Sequence, residues 1–242
     1  RWMREAGCDD FRITALCSRR LDDARSYVHR DHGPTQRPPC SQIPGDPLAV
    51  PPQYLSDFQE TDSVEVYDDF EAMCRTGPVD AVNDLTHHAL HHRVAEVAAA
   101  SGQHLLTQKP IAVNVAVAKR MCDLYRERRL TLGVFENWHY RPIARYLQRL
   151  LETNLLGEPQ MFAMGSLGAW WAPNRIVADT PWRHVAKQGG GISLDMGVHQ
   201  LHWVRQMAGD IASIHANTQV AEPRRYGPDP SEPDPSEPDP SE

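Results

Sequence analysis

At 242 residues, with 40% hydrophobic and 24% charged residues, the chain has an ordinary globular composition and length for one large or two smaller domains. The net charge of −7 is local: Glu222 to Glu242 carries seven acids and two arginines, a net −5, and the rest of the chain only −2. There is no basic stripe for nucleic acid, no apolar run of about 18 residues for a membrane helix, and no cysteine pairing pattern for zinc or a disulfide framework.

The five cysteines, Cys8, Cys17, Cys40, Cys74 and Cys122, are scattered and odd in number, which predicts reduced thiols and a cytoplasmic protein. Residues 11–17 (FRITALC) are β-prone, and residues 21–30 follow with helical apolar spacing at Leu21, Ala24 and Val28. Residues 31–52 hold seven prolines and read as a long irregular loop. A short helix capped by Asp68 or Asp69 is predicted over 68–76. Next come a strand over 79–85, an alanine-rich helix over 89–101 stopped by Gly102, a strand over 104–107, a helix over 113–129 and a strand over 131–135. Strand and helix in alternation predict βαβ units, hence an α/β domain with a Rossmann-like, doubly wound parallel sheet over residues 1–135.

Beyond it, a helix is predicted over 140–152, a strand over 160–168, a helix over 191–208 and a strand over 211–220. This pattern is that of a partial α+β substrate and oligomerisation domain over 136–222. Residues 223–242 contain PDPSE three times, and proline with like charge every few residues predicts a disordered tail.

Two segments carry chemistry. Residues 79–112 read VDAVNDLTHHALHHRVAEVAAASGQHLLTQKPIA, and residues 189–199 read GGGISLDMGVH, preceded by Pro181-Trp182-Arg183. Together they resemble the signatures of the Gfo/Idh/MocA oxidoreductases, the glucose–fructose oxidoreductase and inositol dehydrogenase type. In that pattern a strand leads to T-P-N-x-x-H, an alanine-rich helix and E-K-P, and later to G-G-G-x-x-x-D-x-G-x-H. Thr86, His91, Gly102, His104, Lys109 and Pro110 hold their places. His87, His88 and Gln108 replace Pro, Asn and Glu, and Asn83 and Asp84 put polar residues in a strand usually apolar. The glycine-rich turn that opens a dinucleotide domain does not occur in these residues, and the resemblance implies that it lies upstream of Arg1.

The resemblance implies an NAD(P)-dependent dehydrogenase acting on a sugar, polyol or related hydroxylated small molecule, a homo-oligomer at full length. It implies Lys109, Asp195 and His199 as the catalytic group, with either Lys109 or His199 as the base. Asp195 and His199 are four residues apart and share a helical face, where Asp195 can hold substrate hydroxyls or orient the imidazole. Tyr140 and Arg183 join them around the substrate. Ser18, Arg19, Arg20, Thr86, His88, His91, Gln108 and Lys109 are the expected cofactor contacts. A hydroxyl followed by two guanidinium groups after the FRITALC strand suits a 2′-phosphate, so NADP is expected ahead of NAD. A metal on the 87–92 histidines, or on Asp195, His199 and His202, is not expected. Two alternatives stay open: a non-catalytic sugar or cofactor sensor on the same fold, and an NAD-dependent glycosidase. Lys109, Asp195 and His199 favour an enzyme over the sensor.

Overall fold

The structure is a computed structural model that describes residues 7, 10–30, 53–165, 172–173, 176 and 180–220. The proline-rich 31–52 segment and the PDPSE tail lie outside the described residues, as do Trp170 and Trp171. The chain divides into two compact units, Arg1–Val134 and Phe135–Glu242.

In the first unit β1 (Ala15–Cys17) leads to α1 (Leu21–Val28). The chain returns through a short 3-10 turn (Leu55–Asp57) to β2 (Glu65–Tyr67), a strand the sequence reading did not include. Arg30, just past α1, pairs bidentately with Asp57 at 3.2 and 3.0 Å, and its guanidinium lies 4.7 Å from the Tyr54 ring centre. The two ends of the interval between α1 and β2 are thereby clipped together. Parallel pairing sets Ala15, Leu16 and Cys17 beside Glu65, Val66 and Tyr67.

Then follow α2 (Phe70–Thr76), β3 (Ala81–Asp84), α3 (His91–Ala100), β4 (His104–Gln108), α4 (Val115–Glu127) and β5 (Leu132–Phe135). Strands β3, β4 and β5 form a second sheet in that order, with β3 and β4 parallel from Ala81↔His104 to Asp84↔Thr107. The α/β class and parallel pairing agree with the sequence pattern.

The helix ends have local causes. The Asp69 side chain accepts from Glu71 N–H at the start of α2, and Asn114 from Val117 N–H at the start of α4. Gly102 adopts a φ of 77°, so that Gln103 N–H reaches Ala98 O and Gly102 N–H reaches Ala99 O, closing α3 in a Schellman motif. Alanines along α3 let it approach the sheet closely, and Val94, Ala95, Val97, Ala98 and Ala99 pack with Val82, Leu105, Met121 and Tyr125 into the core. Tyr125 keeps its hydroxyl satisfied by donating to Ala95 O at 3.2 Å.

The second unit contains a 3-10 turn (Asn137–Tyr140) and α5 (Pro142–Glu152), then turns over Pro181–His184 and Ala186–Gln188, α6 (Ile192–Asp195) and α7 (Gly197–Ala208). The single helix expected over 191–208 is two pieces joined at Met196. The strands expected over 160–168 and 211–220 do not form where residues are described. Alternating apolar residues make a strand only when a neighbour takes up the backbone donors and acceptors. Among the described residues none pairs with them, and Met161, Ile214 and Val220 stay exposed. No described helix is long and apolar enough to cross a membrane.

Candidate functional site

Each unit holds a buried carboxylate in contact with one of its expected site residues, Asp84 with Thr86 and Glu136 with His199. In the first unit that carboxylate is Asp84, the last residue of β3 and only 2% exposed. Its Oδ1 accepts from Thr86 N–H at 2.9 Å and from Thr86 Oγ1 at 2.7 Å, while Oδ2 accepts from Thr107 Oγ1 at 2.9 Å. Thr107 is fully buried on the neighbouring strand. The polar residue that departs from the family pattern is therefore the tie between the carboxyl ends of β3 and β4.

His91, on the first turn of α3 and 1% exposed, joins the same two strand ends. Its Nδ1 lies 2.9 Å from Pro110 O and its Nε2 3.2 Å from Thr86 O. One imidazole thus spans from the Thr86 turn to the segment that carries Lys109. Gln108 accepts from the Lys109 N–H through its own Oε1 at 2.9 Å, and the Lys109-Pro110 peptide is cis. His88 is buried and its ring lies 4.0 Å from that of His87, while His92 is exposed. Among the described residues no three His, Cys, Asp or Glu side chains gather as a metal site.

Ser18, Arg19 and Arg20 follow the carboxyl end of β1 and lead into α1. Ser18 N–H donates to Tyr67 O at 3.1 Å, and both arginines are exposed, with Arg20 3.7 Å from Asp23. Acids line the same rim: burial first, then the Asp69 and Asp68 carboxylates, push the Cys17 thiol up.

In the second unit the central carboxylate is Glu136, which sequence reasoning missed. It follows β5 directly, is 8% exposed, and faces His199, itself 5% exposed. His199 Nδ1 lies 2.7 Å from Oε1 and 2.9 Å from Oε2. Trp138 N–H also donates to Glu136 Oε1, at 2.9 Å. The Trp138 ring stacks on the His199 ring at 5.0 Å and 10°, and Trp203 Nε1 donates to Trp138 O at 3.1 Å. The only sequence sign of Glu136 was an acid at a strand end before an aromatic run, and its partner is 63 positions away.

Asp195 is held by Arg183, whose Nε lies 3.2 Å from Oδ2. Arg183 also donates to Thr180 Oγ1 and lies over the Trp182 ring. Two glycines of the signature shape this corner. Gly190 lies where a Cβ would come within 2.5 Å of Trp182 O and 2.6 Å of Arg183 O, and Gly191, at φ 114°, donates its N–H to Arg183 O at 2.8 Å. His139 Nδ1 and His202 Nε2 meet at 3.1 Å. Burial, followed by His139 and Arg205, holds His202 below its usual value against the pull of Glu136. Tyr140 is largely exposed. The unit thus presents an imidazole locked by a carboxylate and a carboxylate locked by a guanidinium.

Comparison with known proteins agrees with both halves. The profile described as the oxidoreductase family with an NAD-binding Rossmann fold matches residues 50–136, and that of the GFO/IDH/MocA C-terminal domain matches residues 144–235. The chain is 30% identical over 189 residues to a dTDP-3,4-didehydro-2,6-dideoxy-alpha-D-glucose 3-reductase of Actinomadura kijaniata, covering 78% of this chain and 46% of that protein. It is 27% identical over 153 residues to a D-xylose 1-dehydrogenase [NADP(+)] of Haloarcula marismortui, covering 62% and 41%. Among solved structures, an NAD binding oxidoreductase from Klebsiella pneumoniae superposes with a TM-score of 0.58 at 27% identity, over 69% of this chain and 44% of that one. The chain spans less than half the length of each of these relatives. With the first signature folded onto the ends of β3 and β4 and both profiles matched in order, the chain belongs to the Gfo/Idh/MocA oxidoreductase family.

Proposed function

We propose that the protein transfers a hydride between a nicotinamide cofactor and a carbinol carbon of a sugar, polyol or related hydroxylated small molecule. The observation that carries this reading is the clip at the ends of β3 and β4. There Asp84 ties the Thr86 turn to Thr107, and the His91 ring lies between Thr86 O and Pro110 O, donating to one of the two carbonyls, at the strand ends where open α/β sheets bind ligands. When bound, the cofactor supplies the hydride acceptor. Thr86, His88, His91, Gln108 and Lys109 would hold it on this unit, with Lys109 directed at the reacting end. Asp195, oriented by Arg183, and Tyr140 would hold substrate hydroxyls, and Lys109 or His199 would take the hydroxyl proton.

Ser18, Arg19 and Arg20 support NADP over NAD, because guanidinium groups pair with a 2′-phosphate, and the Haloarcula relative is named for NADP(+). Cys17, Cys74 and Cys122 are free thiols, which fits a cytoplasmic setting. Exposed Ile143, Tyr146, Leu155 and Leu156 in the second unit fit a homo-oligomer.

Fluorescence titration with NADPH and with NADH tests the reading. The expected result is tighter NADPH binding, weakened roughly tenfold by Arg19→Ala while NADH binding stays within twofold, as loss of one charge-assisted contact predicts. If neither cofactor binds, even after a glycine-rich strand–turn–helix is joined upstream of Arg1, the reading is wrong.

A further inference from the structure

We propose that Glu136 is a positioning residue that fixes His199 in its Nδ1–H tautomer, making Nε2 the atom that accepts the substrate hydroxyl proton. The assignment of that proton depends on the oxidoreductase reading above; the tautomer does not.

Hydrogen-bond roles decide the tautomer. Glu136 Oε1 already accepts the Trp138 N–H at 2.9 Å, so it is an acceptor oxygen, and it is also the atom closest to His199 Nδ1, at 2.7 Å. Oε2 stands 2.9 Å from the same nitrogen. The proton in this contact therefore sits on Nδ1, and the lone pair of the neutral ring sits on Nε2. The pair is buried, so the contact acts in a low-dielectric setting rather than in water. Ring orientation is fixed as well: Trp138 stacks on the imidazole, and its own carbonyl is pinned by Trp203 Nε1.

The charges around the ring are consistent with this role. On the element that carries His199, His202 is held below its usual value, first by burial, and its ring meets His139 from the 3-10 turn. The Arg141 guanidinium lies 4.3 Å from the Trp138 ring centre, and Asp195, on α6, is engaged by Arg183. The Glu136 carboxylate is in direct contact with the His199 ring and so meets an imidazolium as it forms.

In the step itself the carbinol O–H bond breaks and its proton bonds to Nε2. The C–H bond breaks with its electron pair passing as hydride to the oxidised nicotinamide, and the C=O bond forms. Nδ1 keeps its proton throughout, and Glu136 neutralises the imidazolium without taking a proton.

Long-range proton–nitrogen correlation spectra of histidine-labelled protein, with His199 assigned by its absence in His199→Asn, test the proposal without requiring turnover. In the wild type Nδ1 is expected to be pyrrole-like and Nε2 pyridine-like. In Glu136→Gln the Trp138 N–H keeps the amide oxygen at the Oε1 position, the atom nearest Nδ1, so the Nδ1–H tautomer is kept while the negative charge facing the imidazolium is lost. A wild-type Nε2–H tautomer would overturn the proposal. Steady-state assays add the catalytic half: Glu136→Gln should lower kcat by about 100-fold or more with KM within threefold, since the lost interaction belongs to the transition state. Equal loss in KM and kcat would assign Glu136 to substrate binding instead and overturn the proton-acceptor role. NADPH titration of the same variant keeps the two ideas apart. Cofactor binding unchanged from wild type with turnover lost supports positioning. Failure of the wild type to bind either cofactor strikes the oxidoreductase reading and leaves the tautomer to the spectra.

Discussion

Thr107 offers a test in which two explanations of the first unit's stability predict opposite orders. Its hydroxyl is fully buried and donates to Asp84 Oδ2 at 2.9 Å, and Asp84 itself is 2% exposed. Thr107→Val keeps the shape and removes the donor, leaving one carboxylate oxygen short of a partner in a buried place. A hydrogen bond to a charged group contributes about 1.5–3 kcal/mol, so a loss of about 2 kcal/mol is expected. Thr107→Ser keeps the hydroxyl and removes one methyl group, for a loss of about 0.8 kcal/mol. The expected order is wild type, then Ser, then Val. Urea unfolding followed by far-ultraviolet circular dichroism measures it. With a slope of about 2 kcal/mol per molar, the Val midpoint should fall by about 1 M and the Ser midpoint by less than half of that. If apolar packing rather than the Asp84 tie held this strand end, Val would equal or exceed the wild type and Ser would be the weaker variant. That order would refute the argument.

Two other perturbations probe the second signature and the core. Gly190→Ala should destabilise the second unit by more than about 2 kcal/mol, because the new Cβ meets two backbone oxygens at 2.5 and 2.6 Å. Trp138, Trp182 and Trp203 all lie in that unit, so a thermal melt followed by tryptophan fluorescence reads the change, and an unaltered melt would contradict the packing described. Burial, with Cys17 and other neighbours adding smaller effects, pushes the Cys74 thiol up to about 11. At pH 8 its thiolate is then about one part in a thousand, and a thiol reagent should modify exposed Cys122 promptly and Cys74 only after unfolding. Because the Cys74 value is raised, native reactivity should grow as pH climbs toward 11; equal native rates for the two at pH 8 would count against the burial.

Elements governed by neighbours in sequence were legible before the fold was known. Asp69 caps α2 and Gly102 ends α3 through contacts within a few residues, and the alternation of strands with helices announced parallel pairing. What distance in sequence hides was harder to read. Strand β2 is three residues long and exists because β1 lies beside it. Residues 160–165 and 211–220 have the alternation of strands but no described partner, and stay irregular. Asp84 looked like an intrusion in an apolar strand until Thr86 and Thr107 were found around it. Glu136 gave no usable signal, since an acid after a strand acquires meaning only when α7 brings an imidazole to it. The two signatures mark the side chains expected to react, whereas Glu136, which contacts His199, lies outside both.

The Arg30–Asp57 clip bears on how this protein can vary. A chain that leaves a domain and re-enters at one fastened point behaves toward the rest as a closed loop, and doubling such a loop costs only about 0.6 kcal/mol of closure entropy. The interval between α1 and β2 is thus a place where length can drift almost without consequence for the β1–β2 ladder behind it. Related proteins should differ there in length more readily than anywhere along the β3–β4 edge, where one residue of slip would turn Asp84 away from Thr107.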